Sequence, residues 1–118
     1  DYPNPKDPQP YNNSQYAMIG EFGGIGCWVQ GKEWANGCYG YEKVGYNVTA
    51  FEELYIGMTE SIISNAGDIS VIIYTQITDV ENECDGYLNY DRSAKFDSSQ
   101  MQAVVAANKK MIASMWPN

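Results

Sequence analysis

Residues 69–76 constrain the fold more than any other part of this chain. Their sequence, ISVIIYTQ, is rich in β-branched side chains and almost continuously apolar. A strand that is covered on both faces has this composition, which is typical of parallel sheets in α/β proteins. The sequence therefore predicts a parallel strand at this position.

A second strand is predicted at residues 17–22, with the sequence AMIGEF. This short apolar run ends in a carboxylate, Glu21, and is followed directly by Gly23 and Gly24. A buried parallel strand that emerges into a loop has this form. We expect Glu21 to lie at the exit of the strand.

A helix is predicted between the two strands, at about residues 50–66. Thr49 and Glu52 have the spacing of a capping box, and Gly67 can supply a left-handed C-terminal cap. One face carries a stripe of apolar side chains at helical spacing. The stripe consists of Phe51, Leu54, Tyr55, Met58 and Ile62.

A last helix is predicted after residue 97. Ser98 or Ser99 can cap its N-terminus, and Pro117 ends it. The predicted buried face consists of Met101, Val104, Val105, Ile112 and Met115.

The resulting order is strand, helix, strand, helix, and two long connections, residues 23–48 and 77–97, each follow the carboxyl end of a strand. Ligands bind at that end of the strands in α/β sheets. Two such units cannot close a barrel, which needs eight strands, and they would leave sheet edges uncovered. We expect the remaining strands on the same chain, on another chain or on copies of this one.

Charge and composition exclude several functions. The 118 residues suffice for one small domain, and the net charge of −8 with 7 basic residues disfavours nucleic acid as a partner. There is no His, so catalysis by Ser-His-Asp or Cys-His groups is excluded and acid/base chemistry must use carboxylates. No apolar run approaches the roughly 20 residues of a membrane span.

Cysteines and sequons favour a secreted, extracellular protein. Cys27 and Cys38 lie in one loop, so we predict a disulfide between them, with Cys84 unpaired or joined to another chain. Asn12 and Asn47 each begin an N-glycosylation sequon in a polar, turn-like stretch. The chain begins at Asp1 in a proline-rich stretch, which is consistent with a mature form, a proteolytic piece or an excerpt of a longer chain.

Three motifs carry a resemblance to a known family: GEFGG at residues 20–24, YTQITDVENE at 74–83 and GYLNYDR at 86–92. In this order and separation they resemble the end of the (β/α)₈ barrel of glycoside hydrolase family 2, the β-galactosidase and β-glucuronidase group. The likeness runs from the loop at residues 1–3 to Arg92. It implies an α/β fold made of the last two units of a TIM barrel: a loop at 1–16, the strand-seven unit at 17–67 and the strand-eight unit at 68–118.

The resemblance also implies a function. Glu21 occupies the position of the family's catalytic nucleophile at the end of strand seven, whereas the acid/base Glu at the end of strand four has no counterpart here. Retaining glycosidases hold these two carboxyl groups about 5 to 5.5 Å apart. We therefore expect a fragment of a retaining β-glycosidase that needs the missing strands for activity. The alternative is a non-catalytic extracellular module that keeps the fold and assembles with copies of itself.

Several further residues are candidates for sugar contact. Trp28 and Trp34 in the first long loop could stack on a sugar ring or pack the loop against the barrel rim. Tyr74 and Gln76 fall where strand-eight residues of the resembled family form the floor of the sugar pocket, and a rim or core role is the alternative. The acidic residues of the second loop lack EF-hand spacing, so we expect neither a metal site nor a cofactor.

Overall fold

A computed structural model of the protein describes residues 14–65 and 69–115. Its elements are the strands β1 (Met18–Gly23), β2 (Ile25–Cys27) and β3 (Glu42–Gly45), the helix α1 (Val48–Ser64), the strand β4 (Val71–Thr75) and the helix α2 (Ser98–Met115). The strands form two small parallel sheets, β1 with β4 and β2 with β3. The described part of the chain is therefore mixed α/β. Its place in a TIM barrel stays a prediction.

One face of the β1–β4 pair holds the core. Ile19 and Phe22 of β1 are 4% and 1% exposed, and they join a cluster that includes Phe51 and Tyr55 of α1 and Val104 of α2. Burial of these large side chains against the two helices is the main contribution to stability here, at about 1.5 to 3 kcal/mol for each fully buried side chain.

The other face of the β1–β4 pair is apolar but exposed. Met18, Val71 and Ile73 are 59%, 43% and 48% exposed. The sequence predicts a strand that is covered on both faces, and the described residues cover only one. The exposed face is therefore an apolar surface without a cover in this part of the chain.

The pairing of β1 with β4 is irregular at its centre. Ile19 stands opposite Ile72 and Phe22 opposite Tyr74, so β1 takes three steps where β4 takes two. The extra residue lies between Ile19 and Phe22, in the segment that contains Glu21, and such an irregularity bends a strand and re-aims its side chains.

Helix α1 begins two residues before the predicted start. Asn47, not Thr49, is its N-cap, and the Asn47 side chain accepts a hydrogen bond of 3.0 Å from the Ala50 backbone N–H. The predicted capping box is wrong because Thr49 already lies inside the helix. At the other end Asn65 is the C-cap, and the predicted cap residue Gly67 lies outside the described residues.

Helix α2 has its predicted position but a different cap. The Asp97 carboxylate accepts from the Gln100 backbone N–H at 2.8 Å, and the Gln100 side chain accepts from the Asp97 N–H at 3.1 Å. This reciprocal pair replaces the predicted Ser98 or Ser99 cap. Val105 and Ile112 are 41% and 58% exposed, contrary to prediction, since each lies one residue beyond the buried positions and hence on the flank of the helix.

The first long connection is partly ordered into a sheet. β2 and β3 pair in parallel across it, and Gly40 packs against Gly26 so closely that a Cβ on Gly40 would lie 2.4 Å from the Gly26 Cα. Only glycine allows this approach. Within the described residues neither helix is long and apolar enough to cross a membrane.

Candidate functional site

Glu21 lies near the carboxyl end of β1, as the sequence predicts. The adjacent Phe22 enters the core, whereas Glu21 is exposed. Gly23 and Gly24 then adopt φ values of 104° and 65°, which glycine reaches without strain, and the Gly24 N–H donates to the Thr75 carbonyl at 2.8 Å. The chain thus turns away immediately after the carboxylate and stays attached to the end of β4.

Three segments meet at the end of β1. The Tyr41 N–H donates to the Gly24 carbonyl at 2.8 Å, and the pKa of Tyr41 is raised, first through its hydrogen bond with Tyr39 and further by the negative charges of Glu21 and Glu83. Tyr39 in turn pairs with Glu83 through a backbone bridge. The ends of β1 and of the two long loops therefore converge.

Gln76 connects β4 to the same region. Its side-chain amide donates to the Asp85 carboxylate at 2.6 Å and more weakly to the Glu83 carboxylate at 3.5 Å. Burial raises the pKa of Asp85 to about 6, the hydrogen bond from Gln76 opposes this rise, and the charge of Glu83 adds to it. We call this group the strand-end cluster; its members are Glu21, Tyr41, Gln76, Glu83 and Asp85.

Tyr74 packs in the core side of the molecule. Its ring stacks on Tyr87 with centroids 4.4 Å apart, and it meets Phe22 and Tyr55 edge to face at 5.4 and 5.1 Å. Of the two roles left open by the sequence, this packing corresponds to the core role. Gln76 remains as the strand-end side chain of the predicted pair.

Trp28 and Trp34 lie in a separate place, beyond the end of β2. Both line a cavity of about 900 Å³ in the first loop. We call it the aromatic cavity and define it by Trp28, Gln30, Glu33, Trp34, Asn36 and Tyr46. None of the strand-end cluster lines it, so the structure divides the predicted sugar-contacting residues between two locations.

The predicted disulfide is wrong. Cys38 pairs with Cys84, and Cys27 is a free, buried thiol. Cys27 lies in β2 with no exposed surface, and burial raises its pKa to about 11, which keeps it protonated. Cys38 instead lies beside the second loop, where the Cys84 N–H donates to the Tyr39 carbonyl at 3.0 Å. The disulfide therefore joins the two long loops, which sequence distance alone could not indicate.

Lys95 is a structural residue that sequence reasoning missed. Its ammonium is completely buried and donates to the Asp79 carboxylate at 2.7 Å, to the Cys84 carbonyl at 3.0 Å and to the Cys27 carbonyl. Burial lowers the pKa of Lys95 and raises that of Asp79, and their mutual contact opposes both shifts. The Lys95 side chain therefore joins β2 to the second loop at two points, Asp79 and Cys84.

The remaining sequence predictions concern metals and glycans. Across residues 14–65 and 69–115 no three His, Cys, Asp or Glu side chains are grouped to hold a metal ion. Asn47 is exposed and uses its side-chain oxygen as the helix cap, which leaves the amide nitrogen for a glycan. Glycosylation there stays a prediction, and Asn12 lies outside the described residues.

Comparison with known proteins gives no match, neither to a family model nor to a curated protein.

Proposed function

We propose that the chain is part of a secreted retaining β-glycosidase and that Glu21 is its nucleophile. The observation that carries the proposal is the position of this carboxylate. Glu21 lies near the carboxyl end of β1, and there the GEFGG motif meets the YTQITDVENE motif through the hydrogen bond from the Gly24 N–H to the Thr75 carbonyl. An exposed carboxylate at the carboxyl end of a parallel strand stands where α/β enzymes bind ligands. The irregular pairing beside Glu21 is a further support, because such irregularities are over-represented next to active sites.

In the proposed reaction the Glu21 carboxylate attacks the anomeric carbon and forms a glycosyl ester while the leaving oxygen takes a proton from an acid. Water then hydrolyses the ester, with the same acid acting as base. The acid/base is a Glu on the part of the barrel that lies outside this chain. In this proposal the Gln76 side-chain oxygen and the Glu83 carboxylate accept hydrogen bonds from sugar hydroxyls at the floor of the site.

Replacement of the nucleophile tests the proposal. In the complete protein, Glu21→Gln should lower kcat on aryl β-glycosides at least about a thousandfold while the unfolding midpoint stays the same, because the amide has the same shape but cannot form the ester. Glu53→Gln, an exposed substitution on α1, is the matched control and should retain full activity.

Covalent labelling provides a second measurement. A 2-deoxy-2-fluoro-glycoside should attach to Glu21 and to no other residue of the chain, as read by peptide mass spectrometry. Labelling of Glu81 or Glu83, or full turnover by the Glu21→Gln variant, would show that the nucleophile is elsewhere.

The exposed apolar face of the β1–β4 pair favours a second candidate, an extracellular assembly module without catalysis. Met18, Val71 and Ile73 are exposed apolar side chains, so we expect another protein surface to pack on them. That surface could belong to copies of this chain or to further barrel strands. The mass of the native protein distinguishes the assembly module from the glycosidase. Multiples of this chain alone together with inactivity on all β-glycosides would support assembly, and a longer chain or a different partner would support the enzyme. The Cys38–Cys84 disulfide supports an extracellular location in either case.

A further inference from the structure

The aromatic cavity has the chemistry of a carbohydrate site. Trp34 and Tyr46 are 55% and 62% exposed although they are large and apolar, and Trp28 meets Tyr46 edge to face at 5.7 Å. Flat rings suit the apolar C–H faces of a sugar, while the amides of Gln30 and Asn36 can both donate and accept hydrogen bonds to hydroxyls. Its volume of about 900 Å³ falls among small-molecule sites.

The loop that lines the cavity is joined to the second loop at several points. Trp34 rests on Tyr90 with ring centroids 4.7 Å apart, and Lys32 pairs with Asp91, so the first loop is tied to the second at two points. The disulfide of Cys38, itself a lining residue, is a third tie. A site that is ordered in advance loses less conformational entropy when it binds.

The charge of the residues that line the cavity restricts the class of sugar that can bind. Glu33 is the one charged residue that lines the cavity among the described residues, and its carboxylate accepts from the Gly31 N–H at 2.7 Å and from the Tyr46 hydroxyl at 3.2 Å. Hydrogen bonds from backbone N–H groups, foremost its own, lower the pKa of Glu33 and keep it ionised. A fixed negative charge without a lining cation disfavours uronic acids and sulfated sugars and suits neutral hydroxyl donors.

We propose that the aromatic cavity is a sugar-binding subsite separate from Glu21, which takes one unit of a neutral oligosaccharide or polysaccharide. Trp34 is the stacking platform, Trp28 and Tyr46 are the other aromatic side chains that line the cavity, and Glu33 accepts hydroxyl hydrogen bonds. The binding claim stands on the cavity alone. Its consequence for turnover, that the substrate is a glycan chain and not a short glycoside, rests on the proposed function.

Binding to an inactive protein tests the subsite directly. The complete protein carrying Glu21→Gln is titrated with cellohexaose, mannohexaose, galactohexaose, xylohexaose and arabinohexaose, followed by tryptophan fluorescence and calorimetry. At least one hexasaccharide should bind, and Trp34→Ala should lower its affinity about three- to tenfold, the size of loss expected when one aromatic contact is removed. Tyr16→Ala, which removes a ring that is 90% exposed outside the cavity, should change nothing.

Glu33→Gln provides a second variant that preserves shape. It should weaken the same hexasaccharide while the thermal midpoint stays within about 2 °C of the parent, since the side chain lies at the surface. If no hexasaccharide binds, or if both cavity variants bind as the parent does, the subsite is refuted. Trp34-dependent binding of tetramethylammonium without binding of sugars would also refute it, because aromatic rings with a carboxylate can instead hold cations.

The outcomes separate the two proposals. Trp34-dependent binding in a protein that hydrolyses no glycoside would keep the subsite and refute the glycosidase. Turnover that depends on Glu21 but loses no more on a hexasaccharide than on an aryl monoglycoside after Trp34→Ala would refute the role of the subsite in turnover and leave the glycosidase in place.

Discussion

The loops that follow β1 and β4 have similar lengths but are stabilised differently. The first contains the paired strands β2 and β3, with glycines in close contact and several aromatic rings. The second has isolated bridges and turn hydrogen bonds in place of paired strands, and polar side chains also bind its backbone groups: Lys95 to Cys84, Asp79 to Gly86 and Asn89 to Ser93. The first loop is therefore held mainly by strand pairing and packed rings, whereas the second adds buried polar side chains to its backbone hydrogen bonds.

Removal of Lys95 should have the largest effect. Lys95→Met leaves the buried Asp79 carboxylate without its cation, and we expect the free energy of unfolding to fall by about 3 to 5 kcal/mol. Denaturant unfolding of the complete protein measures this. The control is Lys32→Met, because Lys32 and Asp91 form an ion pair that is 41% and 46% exposed and worth at most about 1 kcal/mol. Equal effects of the two substitutions would show that the second loop does not depend on the buried pair.

Loss of the disulfide should have the next largest effect, since it joins the two loops. Cys38 and Cys84 are 46 residues apart, so Cys84→Ser should cost about 2 to 4 kcal/mol through the gain in unfolded-state entropy. Cys38→Ser should cost the same, and the double variant no more than either. Iodoacetamide mapping of the folded protein should modify neither of these residues. Detection of free thiols at both positions, or of a Cys27–Cys38 bond, would contradict this pairing.

The smallest expected effect is a change of stability with pH that arises from Asp85 in the second loop. The pKa of Asp85 is raised to about 6, so its protonated form is favoured in the folded state. The resulting stabilisation is complete below the unfolded pKa of about 3.9 and is lost as the pH rises through about 6. Compared with Asp85→Asn, the parent protein should therefore lose on the order of 1 to 2 kcal/mol of stability between pH 4 and pH 7. Parallel pH profiles of the two proteins would show that Asp85 titrates normally.

The sequence predicted the elements of this fold well where hydrophobic periodicity determines them. Both helices and both long strands lie within about two residues of their predicted bounds, because apolar stripes and β-branched runs are local signals. The helix caps were not predicted correctly because several polar residues near each helix start could act as the N-cap. Asn47 and Asp97 are the caps because of the path of the preceding chain. The β2–β3 pairing was missed because β2 has only three residues.

The candidate site was predicted in part. Glu21 and Gln76 were singled out by the resemblance in their motifs, and both lie at strand ends, whereas the carboxylates that bind Gln76 come from the second loop. Lys95 carried only the weak signal of a lysine beside Phe96 in an otherwise acidic region. The disulfide was misassigned because nearness along the chain does not measure nearness in space, and no local signal places Cys38 beside Cys84.

The extra residue in β1 has a consequence for how this segment can change in evolution. Ile19 and Phe22 have partners in β4, and between them β1 has two residues where β4 has only Ile73. A change within this irregular segment can therefore re-aim the carboxylate of Glu21 while Ile19 and Phe22 still face the helices. The orientation of Glu21 and the packing of the core can therefore vary separately.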